Sequence, residues 1–360
     1  PRRFGKSMAA NMLTAYYSRG CDSAELFSGL AVEQDASYKK HLNQQNVIRL
    51  DIQQFLESRR DLDTFMREME QTVVEELMEE FPECHGFDSG SRLKVALNKI
   101  FNQTKTGFVF ILDEWDCVFR IAKEQKETQK DYLDFLRGLF KGQDYVNLVY
   151  MTGILPIKKY GEHSADNMFE EFSMIDPGNT AGYFGFTREE VQDLCSQRNI
   201  DFSQVEKWYD GYVLDGLHIY NPKSVTDVVR RGQFQSYWTG TETYEALKVY
   251  LDLNFAGLKE TVIEMLGNVP CKIDPSTSQN DMTTFKTKDD VLTLLVHLGY
   301  LAYDRAAGKA FIPNQEISQE FLRAVKVGGW EGLIQALERS EGLLKSTWAM
   351  DREAVAEGIA

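Results

Sequence analysis

Gly5, Lys6 and Ser7 stand together at the start of the chain, inside the run PRRFGKS, and their types and order suit the binding of phosphate. In a phosphate loop of the Walker A kind, glycine lets backbone N–H groups approach phosphate closely. Lysine reaches the outer phosphates, and a serine or threonine hydroxyl turns to Mg²⁺. Met8, Met12, Leu13 and Tyr16 then recur at helical spacing, so the spacing predicts a helix whose N-terminus faces an anion. Arg3, Phe4, Gly5, Lys6, Ser7 and Met8 are the candidate nucleotide-binding residues. On its own, GKS at a helix start also fits a chance cap on an ordinary helix.

A second cluster gives that motif a partner. Phe108 to Leu112 is an unbroken apolar run, the pattern of a strand buried on both faces, and it runs directly into Asp113-Glu114-Trp115-Asp116. An acid at the end of such a strand can hold Mg²⁺ beside a transferring phosphoryl group, and a neighbouring carboxylate can activate the attacking water. Asp113 is the candidate metal-side residue together with Ser7, and Glu114 the candidate base. The bland alternative is a core strand followed by solvated acids. A third run, Val146 to Met151, ends in Thr152-Gly153. Ligands of open α/β sheets collect at the carboxyl ends of strands. Thr152 is therefore either a sensor of the terminal phosphate with a catalytic role or the start of a turn.

These signals require a frame to hold them. Val47 to Ile52 reads as another strand, and Phe65 to Leu77 and Leu93 to Phe101 read as amphipathic helices. Strands alternating with helices imply a parallel sheet covered on both faces. The expected fold class is α/β, a P-loop NTPase sheet followed by a helical region and a winged-helix-like unit. The nucleotide domain is expected over residues 1–177, ending at the Pro177-Gly178 turn signal. A helical, lid-like region is expected over 178–255, opened by a capping box at Thr187 and Glu190. Over 256–328, the apolar helix before Gly299 and a strand pair around Arg305–Gly308 give the order of a winged helix, with His297 a core residue. Residues 329–360 read as the helical start of a further region.

Seven segments carry a resemblance in the same order: PRRFGKS, ILDEWD, MTGILPI, Phe184–Thr187, Trp208–Tyr212 (WYDGY), Tyr220-Asn-Pro222 and Leu298–Leu301. Together they resemble the bacterial AAA-ATPase-like family, whose members typically carry a PD-(D/E)XK nuclease-like domain at the C-terminus. Trp115 stands where that family more usually has Tyr, and Lys223 where an aromatic often follows Asn-Pro. The resemblance implies ATP and Mg²⁺ as cofactors and hydrolysis of ATP as the activity. The half-loop at Pro1, and the lack of a strand-borne acidic triad after Trp330, lead to the expectation of a fragment without its N-terminal strand and most of its C-terminal domain. A different class of function stays open, a nucleotide-responsive scaffold or interaction module that regulates a nuclease-like domain or a partner with little hydrolysis.

Composition narrows the partners. A net charge of −15 disfavours a generic polyanion-binding surface, so a nucleic-acid partner is not supported. WYDGY reads as packing of the lid, or as a coupling of nucleotide state to a neighbour through Tyr209 or Asp210; self-association or a protein partner stays open. No apolar run approaches the roughly 20 residues that span a bilayer. Five scattered cysteines without C-x-x-C spacing argue against disulfides or a zinc site and for a reducing cytoplasm.

Overall fold

The computed structural model describes residues 1–57, 62–156, 168–238, 243–278, 285–327 and 331–359. The chain divides into two compact units, one built on Gly5–Glu171, the other on Pro1–Phe4, Phe172–Ser278 and Phe285–Ala360.

The first unit is a mixed α/β structure around a parallel three-stranded sheet in the order β1 (Asn46–Asp51), β2 (Phe108–Asp113), β3 (Val146–Met151). All six residues of β2 are buried, which accounts for the unbroken apolar run: as the central strand it presents two faces to protein. On one face, Ala10, Leu13 and Tyr17 of helix α1 (Lys6–Tyr17) pack against Val47, Val109, Ile111 and Tyr150. On the other, Phe108 and Phe110 meet the rings of Phe81, Phe140 and Tyr145 at 5.1–6.2 Å between centroids, edge-on or tilted as aromatic quadrupoles prefer. The predicted amphipathic helices are Leu62–Glu80 and Leu93–Thr104. Register places Asp51 beside Asp113, so the acidic end of β2 lies at the carboxyl edge of the sheet.

The second unit is less purely helical than the sequence suggests. Helix Arg188–Arg198 opens with the expected capping box, Thr187 accepting from the Glu190 N–H and Glu190 from the Thr187 N–H. Helix Phe202–Tyr209 follows, and WYDGY then leaves the helix and enters an antiparallel hairpin, β5 (Tyr212–Leu214) and β6 (Leu217–Tyr220). With β4 (Phe186–Thr187) these form a three-stranded sheet. Strands of two to four residues are too short to show a period of two against their helical surroundings. Asn221 caps helix Pro222–Arg231 from its side chain, and Gly232 ends it in the left-handed region just past Arg230 and Arg231.

A second small sheet pairs β7 (Cys271–Lys272) with β9 (Lys309–Phe311) and β9 with β8 (Ala302–Asp304). Between β7 and β8 runs the almost wholly buried helix Lys288–Leu298, which is capped by Thr287 and stopped by Gly299. His297 is enclosed in that helix and burial holds its imidazole neutral, its pKa lowered to about 3. Helices Glu331–Trp348 and Arg352–Ile359 follow. Among the described residues no disulfide joins the five cysteines, and no helix is long and apolar enough to cross a membrane.

Candidate functional site

Gly5 adopts the left-handed conformation (φ 86°, ψ 11°) at the N-cap of α1, where a residue with a Cβ is strained. It gives α1 no side-chain cap, and the N-terminus of a helix is where backbone N–H groups and the helix dipole favour an anion. Lys6 and Ser7 begin that turn, and Gly5, Ser7 and Met8 are exposed. Burial lowers the pKa of the Lys6 ammonium, and the charges of Glu114, Asp116 and Asp113 oppose that shift. The start of α1 and the acidic end of β2 therefore share one electrostatic environment.

The end of β2 is tightly organised. The Thr152 N–H donates to the Leu112 carbonyl (2.8 Å) and the Trp115 N–H to the Thr152 carbonyl (3.0 Å), so the ends of β2 and β3 lock together. Asp113 is buried. Its Oδ1 accepts from the Glu114 N–H at 3.0 Å and from the Thr152 hydroxyl. Glu114 turns the chain sharply, with φ +51°, a costly backbone for a residue with a Cβ. Burial raises its pKa, and the Arg120 guanidinium is the largest influence holding it down.

Two further residues complete the cluster. Asp116 is fully buried, and its Oδ2 accepts from the N–H groups of Ile154 (3.2 Å) and Leu155 (2.9 Å). Its Oδ1 has no hydrogen-bond partner among the described residues. Arg120 pairs with Glu114 Oε2 through Nη2, and its Nε lies 3.4 Å from Asp116 Oδ2. Neither entered the sequence reading of the site. The signal was there in the i,i+4 spacing of Asp116 and Arg120, directly after the strand end.

The predicted residues thus divide. Lys6, Asp113, Glu114 and Thr152 meet in the first unit, with Gly5, Ser7 and Met8 at the exposed turn beside Lys6. The side chains of Arg3 and Phe4 are engaged in the second unit. Arg3 Nη1 donates to the Tyr237 carbonyl at 3.0 Å, and the guanidinium stacks 5.2 Å from the Trp238 ring centroid. Phe4, 2% exposed, meets Tyr212 of WYDGY edge-on at 5.1 Å, and the Tyr212 hydroxyl donates to the Gly299 carbonyl at 2.7 Å. Phe4 thus packs against WYDGY, whose Tyr212 in turn bonds to the Leu298–Leu301 segment.

The donors at the strand end are all oxygen, the chemistry of Mg²⁺ rather than of a softer metal. No group of three or more His, Cys, Asp or Glu side chains among the described residues has the geometry to hold a metal by itself.

Comparison with known proteins is consistent with a mixed α/β, P-loop-like fold in the first unit. Residues 1–161 match the model of the AAA-ATPase-like family, described as predicted AAA-ATPase, so the recognised resemblance is borne out over that segment. The chain is also 24% identical over 253 residues to an uncharacterized protein in the vnfD 5' region of Azotobacter chroococcum mcd 1, an alignment covering 68% of this chain and 47% of that protein. The chain thus spans about half the length of that relative. No solved structure matches the chain.

Proposed function

We propose that the chain binds ATP and hydrolyses it in a Mg²⁺-dependent reaction. The observation that carries this reading is the electrostatic meeting of Lys6 with Asp113, Glu114 and Asp116 in one unit. Lys6 and the first-turn N–H groups of α1 hold the phosphates. Ser7 and Asp113 are the residues that would hold Mg²⁺, which when bound neutralises charge on the outer phosphates. Thr152 fixes Asp113 through its hydroxyl. Glu114 takes a proton from the attacking water, a role that its partial burial supports by making the carboxylate a better base.

The second reading, a nucleotide-responsive scaffold with little hydrolysis, is favoured by one observation: Glu114 is already ion-paired with Arg120. The wider proposals are a domain division near residue 177, a winged-helix unit formed by helix Lys288–Leu298 with β8 and β9, and a cytoplasmic setting. All three are compatible with either reading. Nuclease activity is assigned to none of these residues.

Mg-ATP binding by calorimetry and phosphate release by the full chain test the reading. Lys6→Ala is expected to abolish binding, and Glu114→Gln to keep nucleotide while losing turnover by about a hundredfold or more. Binding without turnover in the parent favours the scaffold, and no binding overturns both readings.

A further inference from the structure

We infer that Arg120 is the positioning residue for Glu114, fixing the carboxylate that activates water by bridging it to the buried Asp116. This rests on the ATPase reading above and names how its base is held. Glu114 leaves β2 through a left-handed backbone with three side-chain torsions beyond it, so nothing in its own chain fixes where its carboxylate lies. Arg120 supplies that constraint from the short helix Cys117–Ile121, which packs through the Phe119 ring 5.6 Å from Trp115. Its guanidinium faces both acids: Nη2 donates to Glu114 Oε2, and Nε, which makes no hydrogen bond among the described residues, lies 3.4 Å from Asp116 Oδ2 in an ion pair.

Asp116 is in turn held by the Ile154 and Leu155 N–H groups, just beyond β3. The constraint therefore runs from the backbone after β3 through Asp116 and Arg120 to Glu114. It operates largely out of water, because the side chains of Arg120, Glu114 and Asp116 are 15%, 22% and 0% exposed. Screening is weak there and a misplaced charge is costly. The pair engages one oxygen, Oε2, and Oε1 is the oxygen that takes the proton of water. A lysine presents a point charge and cannot span both carboxylates with a planar fork, so Arg120→Lys restores only part of the function.

A residue that merely neutralises Asp116 would affect every variant alike, whereas one that acts through Glu114 has nothing left to position once Glu114 is gone. The test is a double-mutant cycle on steady-state Mg-ATP hydrolysis with the parent, Arg120→Gln, Arg120→Lys, Glu114→Gln and the Glu114→Gln/Arg120→Gln pair. Arg120→Gln is expected to lower kcat about tenfold or more while KM and the nucleotide Kd move less than about threefold. In the Glu114→Gln background the same change should alter the residual rate less than about twofold, and Arg120→Lys should fall between parent and Arg120→Gln. If Arg120→Gln does not fold because it leaves Asp116 uncompensated, Asp116→Asn/Arg120→Gln removes both charges and is read the same way. Equal fractional losses in both backgrounds, or an unchanged or higher kcat in Arg120→Gln, overturn the proposal alone. A parent that binds nucleotide without turnover overturns the ATPase reading, and the proposal with it.

Discussion

The Thr152 hydroxyl donates to Asp113 Oδ1 across the ends of neighbouring strands, so the residue after β3 decides how the acid at the end of β2 is presented. Asp113 is buried, and removing a donor from a buried carboxylate costs more than the average hydrogen bond contributes. Thr152→Val keeps the shape and removes only the hydroxyl. It should lower stability by about 1–3 kcal/mol in urea denaturation and raise the Mg²⁺ concentration for half-maximal turnover. An unchanged Mg²⁺ dependence with normal stability would show that the hydroxyl does not shape the acid.

Gly153 follows directly and is required by space. A Cβ there would lie 2.6 Å from Trp115 Nε1 and 2.7 Å from Asp116 Oδ1, inside van der Waals contact with two buried side chains. Gly153→Ala must displace Trp115 or Asp116, and overpacking of this kind costs about 1–3 kcal/mol. Because Asp116 also carries the contact to Arg120, turnover should fall further than stability alone explains. A variant with parent-like urea midpoint and parent-like kcat would contradict the crowding.

Phe4 yields a prediction about the loop that precedes the phosphate site. Its ring is 2% exposed and packs edge-on against Tyr212. Phe4→Ala should destabilise the second unit by about 3–5 kcal/mol, since a buried ring is lost and a cavity left. Chemical denaturation followed by tryptophan fluorescence reads this directly, because Trp208 and Trp238 lie in that unit. A shift below about 1 kcal/mol would mean that the ring is dispensable to the core.

How far the sequence could be read follows from the range of the interactions. β2 was legible almost to the residue, because a central parallel strand is apolar on both faces and nothing else in the chain looks like it. The Thr187 box was legible because a capping box spans four residues. The hairpin of β5 and β6 was not, since three- and four-residue strands carry too little pattern. At the candidate site, residue types pointed to Lys6, Asp113 and Glu114, but the ion pair from Arg120 depends on the sharp turn at Glu114, which no local pattern announces. The engagement of Arg3 depends on Tyr237, 234 positions away, and such pairings are set by tertiary packing alone.

Glu316 gives the second unit a pH dependence whose sign can be worked out. Its side chain is almost fully buried, accepting from the Ser224 hydroxyl (2.8 Å) and from the N–H groups of Tyr237 (2.6 Å) and Trp238 (3.1 Å). Burial raises its pKa to about 7, with those donors and Arg3 opposing. The folded state therefore holds this proton more tightly than the unfolded chain, where a glutamate titrates near 4.3. The resulting stabilisation is complete below the unfolded pKa and is lost as pH rises through the folded one, so the window is about pH 4.5 to 7. Its full size is on the order of 3 kcal/mol. Glu316→Gln cannot ionise and lacks this slope. Subtracting its urea-derived stability from the parent's at each pH cancels the other titrating groups. That difference should shift against the parent between about pH 4.5 and 7 and then level off. A difference that stays constant across the range would mean that Glu316 is ionised in the folded state throughout, held so by Arg3 and its three donors.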